Sequence, residues 1–150
     1  MSLPHRISAG ALVIHANRVL LVQHRIPGHD DFWGPPGGGV EGKETLFDCA
    51  ARECFEETGL QVQPLKFVYI EELFDAGRRV CKHWIQCKLI GGEINFQHAT
   101  EEERDVLLEA RFVSRSEIAS LNVFPRLMRD QFWQDLAAGF PTVRYIGFEN

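Results

Sequence analysis

Residues 38–60 read Gly38-Gly39-Val40-Glu41-Gly42-Lys43-Glu44-Thr45-Leu46-Phe47-Asp48-Cys49-Ala50-Ala51-Arg52-Glu53-Cys54-Phe55-Glu56-Glu57-Thr58-Gly59-Leu60. A glycine-rich turn opens the stretch and an amphipathic helix follows. The spacing predicts that helix over Thr45 to Glu57 or Thr58, with Gly59 ending it in the left-handed conformation that glycine adopts cheaply. At about 100° per residue, Leu46, Phe47, Ala50 and Cys54 fall in an arc of about 100°, the width of a core-facing stripe. With Leu46 at zero, Glu57 lands near ~20°, Glu53 at about 340° and Glu56 near ~280°. The three acids form a patch that begins at the core edge and runs outward. A carboxylate at a core edge is costly, and like charges one turn apart repel. Arg52 supplies one guanidinium and is outnumbered, so a further positive charge is called for. Clustered carboxylates without Cys or His favour Mg²⁺ or Mn²⁺ over zinc or copper. On charge counting alone, a solvated acidic face is an equal alternative.

The spacing itself goes further. Gly38, five residues, Glu44, seven residues and then Arg52-Glu53-Cys54-Phe55-Glu56-Glu57-Thr58-Gly59-Leu60 resembles the signature of the Nudix hydrolase superfamily. Trp33-Gly34-Pro35-Pro36-Gly37 also resembles the run that commonly leads into it. Cys54 departs from the larger aliphatic residue usual at its position, and a buried thiol is a small hydrophobe that fits there. Gly37 to Lys43 reads G-x-x-x-x-G-K, most of a phosphate-binding loop, but Glu44 stands where that loop needs Ser or Thr, and Glu41 would put an anion in the cradle.

The resemblance implies an α/β fold, a Nudix-like α/β/α sandwich with a mixed β-sheet, formed as one domain over residues 1–150. It implies divalent-metal-dependent hydrolysis of a diphosphate bond in a nucleoside diphosphate joined to another moiety, a nucleoside triphosphate or a nucleotide sugar. By position in the motif, Glu53, Glu56 and Glu57 would be metal ligands, with the Gly37 or Gly38 carbonyl completing the shell. Arg52 would hold the acids in place, and Glu44 would contact that network or cap the helix. Glu53 or a later loop glutamate would be the general base. Nudix enzymes often take a further catalytic or metal-binding glutamate from a later loop. Here Glu101, Glu102, Glu103 and Glu109 are eligible, and Glu102 and Glu103 are favoured. The markers of the ADP-ribose, dinucleoside-polyphosphate and NADH branches are absent. The competing class is a non-catalytic nucleotide- or metabolite-binding module of the same fold; such modules often lose motif acids, and this chain keeps them.

The composition is that of an ordinary soluble globular protein. The 150 residues are 45% hydrophobic and 25% charged, with a formal net charge of −5. That balance argues against general nucleic-acid or membrane-surface binding, while metal ions can still bridge an acidic protein to polyphosphates. No apolar run reaches transmembrane length, and Met1 to Gly10 lacks a signal peptide's pattern, so the expectation is cytoplasmic. Cys49, Cys54, Cys81 and Cys87 show no metal-site spacing and read as reduced core thiols. A homodimer is allowed.

Along the chain, Ile7 to Ile14 and Val19 to Gln23 read as strands joined by an Asn-containing turn. Arg25 to Asp31 reads as a polar loop, a pocket rim or a plain connector, flanked by His24 and His29 as surface histidines. Trp33 could stack on a nucleobase or pack the sheet, and packing is the commoner role for a tryptophan beside an apolar strand. Pro64 to Phe74 and Arg79 to Ile90 form a long hairpin across Asp75-Ala76-Gly77-Arg78; Arg78 and Arg79 could meet a phosphate, and a solvated turn is the commoner reading. Which face of the second strand is apolar stays open. Thr100 to Glu103 fits a capping box. Glu109 to Val113 is a short strand, Glu117 to Leu121 a brief helix after Ser114, and Pro125 to Ala138 a last helix stopped by Gly139 and Pro141. Thr142 to Phe148 adds an edge strand or an extended arm.

Overall fold

The computed structural model describes residues 2–148; Met1, Glu149 and Asn150 of the expected 1–150 domain lie outside the described residues. The chain forms β1 (His5–His15), β2 (Arg18–His24), β3 (Phe32–Gly34), β4 (Gly37–Gly39), α1 (Leu46–Thr58), β5 (Leu60–Asp75) and β6 (Arg78–Gly92). There follow α2 (Glu101–Val106), β7 (Leu107–Val113), α3 (Arg115–Ile118), a 3₁₀ turn (Arg126–Arg129), α4 (Gln131–Ala137) and β8 (Arg144–Ile146). The strands make one sheet in the order β3-β2-β1-β6-β5-β8, with β4 on β1 and β7 on β2. It is mixed: β1 runs parallel to β6 and β5 to β8, and the other pairs are antiparallel.

Helices cover both faces, which gives the expected α/β/α arrangement. On one face Ala9, Ala11, Val13, Ile85 and Cys87 pack against Cys49, Ala50 and Cys54 of α1. On the other, Leu12, Tyr69 and Trp84 pack against Ile118, Met128, Phe132 and Trp133 of α3, the 3₁₀ turn and α4. Fully burying one such aliphatic or aromatic side chain contributes about 1.5–3 kcal/mol. Two covered faces explain why β6 shows no clean alternation: Trp84 enters one core, and Ile85 and Cys87 the other. Cys54 is fully buried, and burial pushes its thiol up to about 12, so it serves as the small hydrophobe.

Both hairpins close on two-residue turns with left-handed backbone, Ala16-Asn17 and Ala76-Gly77. Arg25 and Asp31 pair across the intervening loop at 2.9 Å. β5 begins at Leu60, four residues earlier than expected, because Pro64 sits at a register shift where its missing N–H costs no ladder bond. α3 starts two residues before the expected helix, since Ser114 accepts from the Glu117 amide and so fixes Arg115 as the first helical residue. The expected single helix over Pro125 to Ala138 is two pieces. Asp130 (φ −134, ψ −65) leaves helical geometry, and the Met128 carbonyl is taken by Trp133 Nε1 at 2.8 Å. The tail forms an edge strand, and Arg144 grips Asp135 of α4 at 2.9 Å. Trp33 is buried, with Arg111 over its ring at 5.0 Å. Among the described residues no helix is long and apolar enough to cross a membrane.

α1 is bounded by chemistry at both ends. Thr45 Oγ1 accepts from the Asp48 amide at 3.1 Å and Asp48 Oδ2 accepts from the Thr45 amide at 3.2 Å, a reciprocal cap. Gly59 lies at φ 80, its N–H bonded to the Phe55 carbonyl at 2.8 Å. A Cβ on Gly59 would press on the Glu93 carbonyl and stand 2.6 Å from Asn95 Nδ2. Gly59→Ala combines left-handed strain with that contact, and we expect a loss of at least ~2 kcal/mol in urea unfolding.

Candidate metal centre

β1 and β2 pair only beside their turn, Ile14 with Val19 and His15 with Arg18. Beyond it they part: β1 takes β4 as neighbour, and β2 takes β3 and β7. The last turns of α1 lie over that parting. Glu57 reaches into it, accepting from the Gly37 amide at 2.8 Å and standing 3.9 Å from His24 Nε2. Glu53 lies one turn earlier on the same face of α1, as the helical wheel requires. From the far side comes Glu103 of α2. α2 is tethered by its own reciprocal cap, Thr100 with Glu103, and by Arg104, which donates to the Phe96 and Gln97 carbonyls. Val106, Ala99 and Leu107 pack against Val22 and set the height of this short helix over β2. One carboxylate oxygen from each of Glu53, Glu57 and Glu103 falls within 4.8 Å of the others.

Arg52 organises the acids around this trio. Its Nε and Nη2 grip Glu44 at 3.0 and 2.7 Å, and Nη2 also donates to the Gly39 carbonyl at 3.1 Å. Its Nη1 reaches Glu53 at 3.0 Å and both oxygens of Glu56 at 3.2 Å. The two-pronged grip holds Glu44 down to about 2. Glu44 thus belongs to the network, while Thr45 does the capping.

The NUDIX domain profile matches residues 4–132. The chain belongs to the NUDIX family. Phosphatase NudJ of Escherichia coli strain K12 is 39% identical over 62 residues, 41% of this chain and 40% of NudJ, so the match spans less than half of either protein. Among solved structures, a NUDIX hydrolase from Nitrosomonas europaea superposes with a TM-score of 0.76 at 24% identity, covering 100% of this chain and 81% of its own. An ADP-ribose pyrophosphatase from Streptococcus suis gives 0.67 at 22% identity, covering 96% and 98%. These likenesses agree with the fold described above.

Within this NUDIX domain the residues singled out in the sequence fall into distinct positions. Glu53 and Glu57 are buried and converge with Glu103. Glu56 turns to Arg52 and stands outside the trio. Glu102 is exposed on α2 and does not join them. The two glycines differ as well. The bonds from Ala11 N to the Pro36 carbonyl and from Val40 N to the Ile7 carbonyl fix the β1–β4 ladder. In that pattern Gly38 directs its amide and carbonyl at β1, and Gly37 directs its own outward, toward Glu57. The Gly38 carbonyl also accepts from Ser8 Oγ at 2.7 Å.

His24 and Lys82 escaped the sequence reading. His24 is not a surface residue: its ring stacks on Phe32 with centroids 4.8 Å apart, and Nδ1 donates to the Val22 carbonyl at 3.2 Å, so Nε2 faces Glu57 as an acceptor. Burial first, then the charge of Lys82, pushes its pKa down to about 4, leaving it neutral at physiological pH. Lys82 lies over the Trp84 ring at 4.4 Å. A lysine between Val80 and Trp84 on a core-facing strand was the available signal.

The donor set fits a hard divalent cation. Glu57 is 4% exposed, and its carboxyl sits well above the ordinary range, first through burial and then through the charge of Glu53. Glu53 is raised by burial as well, with Arg52 opposing. Arg52 is spent on Glu44, Glu53, Glu56 and Gly39, and the nearest nitrogen to Glu57 in ion-pair range is on neutral His24. Three all-oxygen donors with unbalanced negative charge are the ligand chemistry of Mg²⁺ or Mn²⁺. The linkage sign follows. A carboxyl raised on folding favours the fold below its unfolded value of about 4.5, and that contribution is lost as pH rises toward the folded value. Metal-free Glu57→Gln should therefore melt higher than wild type at pH 7.5, and saturating Mn²⁺ should reverse the order; melting curves with chelator and with Mn²⁺ measure both.

Proposed function

We propose that this protein hydrolyses a diphosphate bond in a nucleoside diphosphate joined to another moiety, a nucleoside triphosphate or a nucleotide sugar, using Mg²⁺ or Mn²⁺. The observation that carries the reading is the convergence of Glu53, Glu57 and Glu103, two of them buried. Membership of the NUDIX family supports it, as do the names of relatives such as Phosphatase NudJ and the ADP-ribose pyrophosphatase. On this proposal Glu53, Glu57 and Glu103 are the metal ligands, the Gly37 carbonyl is the backbone donor, and Glu56 acts through Arg52. A bound divalent ion neutralises diphosphate charge and lowers the pKa of a coordinated water.

The chain's own groups do the rest. Arg52 fixes the Glu53 carboxylate, and Glu44 fixes Arg52, so the geometry is preset and little reorganisation accompanies reaction. The Gly37 amide holds one oxygen of Glu57 and directs the other into the opening. Glu53 or Glu103 would take the proton of the attacking water, each held by its own helix at the opening. His24 Nε2 and Lys82 frame the opening and orient what enters it. Four free thiols and the absence of any disulfide among the described residues support a reducing, cytoplasmic setting, and the substrate is a small molecule rather than a nucleic acid or membrane.

Incubation with Mg²⁺ and a panel of nucleoside triphosphates and nucleotide sugars, with products identified, tests the reading. Wild type should release a nucleoside monophosphate or its equivalent by cutting the diphosphate bond. Glu57→Gln and Glu103→Gln should each lower kcat by about 10²-fold or more, and Glu102→Gln should leave it within about twofold. A Glu57→Gln variant that keeps the wild-type rate would refute the assignment.

A further inference from the structure

An open cleft of about 870 Å³ runs from Glu53 and Glu44 past Gly39 to Arg6, Ile7 and Arg78. Glu44 and Glu53, on its wall, are already paired with Arg52. The cations are not matched in this way. Among the described residues, neither Arg6 nor Lys82 has a carboxylate oxygen within 4.0 Å of its side-chain nitrogens. Arg78 reaches only exposed Asp75, at 3.8 Å, and its buried Nε has no hydrogen-bond partner. The chain holds 21 acidic residues against 16 basic ones, so unpaired cations here do not reflect a shortage of acids.

Arg6 and Lys82 are also brought together by the fold. In the parallel β1–β6 ladder Arg6 stands opposite Val80 and Ser8 opposite Lys82, so the two side chains share one face of the sheet. Burial first disfavours the charge on Lys82, the carboxylates of Glu57, Glu71 and Glu53 favour it, and the charge of Arg6 acts against it. Arg6 lies flat against Gly39: a Cβ there would stand 2.6 Å from its Nη2 and 2.8 Å from its Cζ. Lys82 Cε also comes close to Gly37, 3.1 Å from the position of a Cβ. Two neighbouring like charges repel, and Arg6 itself has no carboxylate in ion-pair range among the described residues to offset this repulsion. A ligand carrying dense negative charge, lying between the two cations and the glutamate trio, would offset it.

We propose that Arg6 and Lys82, with Arg78 at the rim, form a seat for a phosphate beyond the diphosphate that is cut, so that the preferred substrates are nucleoside triphosphates rather than nucleotide sugars. A planar guanidinium held against a glycine presents its donors as a fixed fork, the form suited to a phosphate. A neutral sugar in the same place would leave Arg6 without a counter-charge. The proposal rests on the glutamate trio being the diphosphate-cleaving centre, and its test does not depend on turnover.

Calorimetry at fixed free Mg²⁺ would compare a nucleoside diphosphate and the matching triphosphate, each with a methylene bridge between the α and β phosphorus atoms. Wild type should bind the triphosphate at least about tenfold more tightly than the diphosphate, and Arg6→Gln should shrink that ratio to about twofold. Arg6→Lys should fall between the two, and Lys82→Met should act in the same direction as Arg6→Gln. In turnover, Arg6→Gln should raise KM for a nucleoside triphosphate while leaving KM for a nucleotide sugar unchanged. A wild-type ratio near one, or an Arg6→Gln variant that keeps the wild-type ratio at an unchanged melting temperature, would overturn the seat. A wild type that shows the ratio yet cuts no diphosphate bond in the product assay would instead overturn the hydrolase reading.

Discussion

The arrangement depends on the guanidinium of Arg52. Among the described residues it is the one cation within ion-pair range of Glu41, Glu44, Glu53 and Glu56, and it also closes on the Gly39 carbonyl. Such a hub lets α1 crowd carboxylates together without leaving all of them charged and unbalanced. It also decides which acid remains without an arginine partner. Glu57 follows Glu56 but is turned about 100° round the helix from it, away from Arg52, so its charge is left to Lys82 and to whatever enters the opening. Placing the unmatched carboxylate in the driest position raises the strength of any cation bound there.

The sheet contributes the opening itself. Had β1 and β2 stayed paired along their length, there would be no gap for Glu57, and β4 would have no edge to dock on. Their parting also sends β2 toward β7 and α2, which is how a glutamate more than forty residues beyond α1 comes to stand beside Glu53. Local capping at both helices keeps this long-range meeting reproducible, because each glutamate is fixed relative to its own helix axis before the helices are fixed to the sheet.

Much of this was legible in the sequence because it is periodic or local. The limits of α1, the left-handed Gly59, both hairpin turns and the grouping of Glu53 with Glu57 follow from helical and turn geometry within a few residues. The rest is long-range. Glu102 and Glu103 are adjacent and chemically alike, and only the docking of α2 on Val22 decides that Glu103 turns inward. That Thr100 and Glu103 cap each other was readable, but a capping glutamate that also faces the trio was not. His24 and Lys82 enter through the parting of β2 and the parallel register of β1 with β6, neither of which leaves a mark in the linear pattern. The broken last helix was missed because its apolar spacing continues across Asp130, where the backbone does not.

The tether of α2 has an evolutionary corollary. Two of the converging glutamates belong to a helix locked into the main core, whereas the third arrives on six residues held by a loop through Arg104, Asn95 and a few apolar contacts. Drift in residues 93–99 can lengthen, shorten or re-aim that arm while the sheet and α1 stay as they are. Lineages sharing this framework are thus free to diversify one corner of the centre independently of the other two.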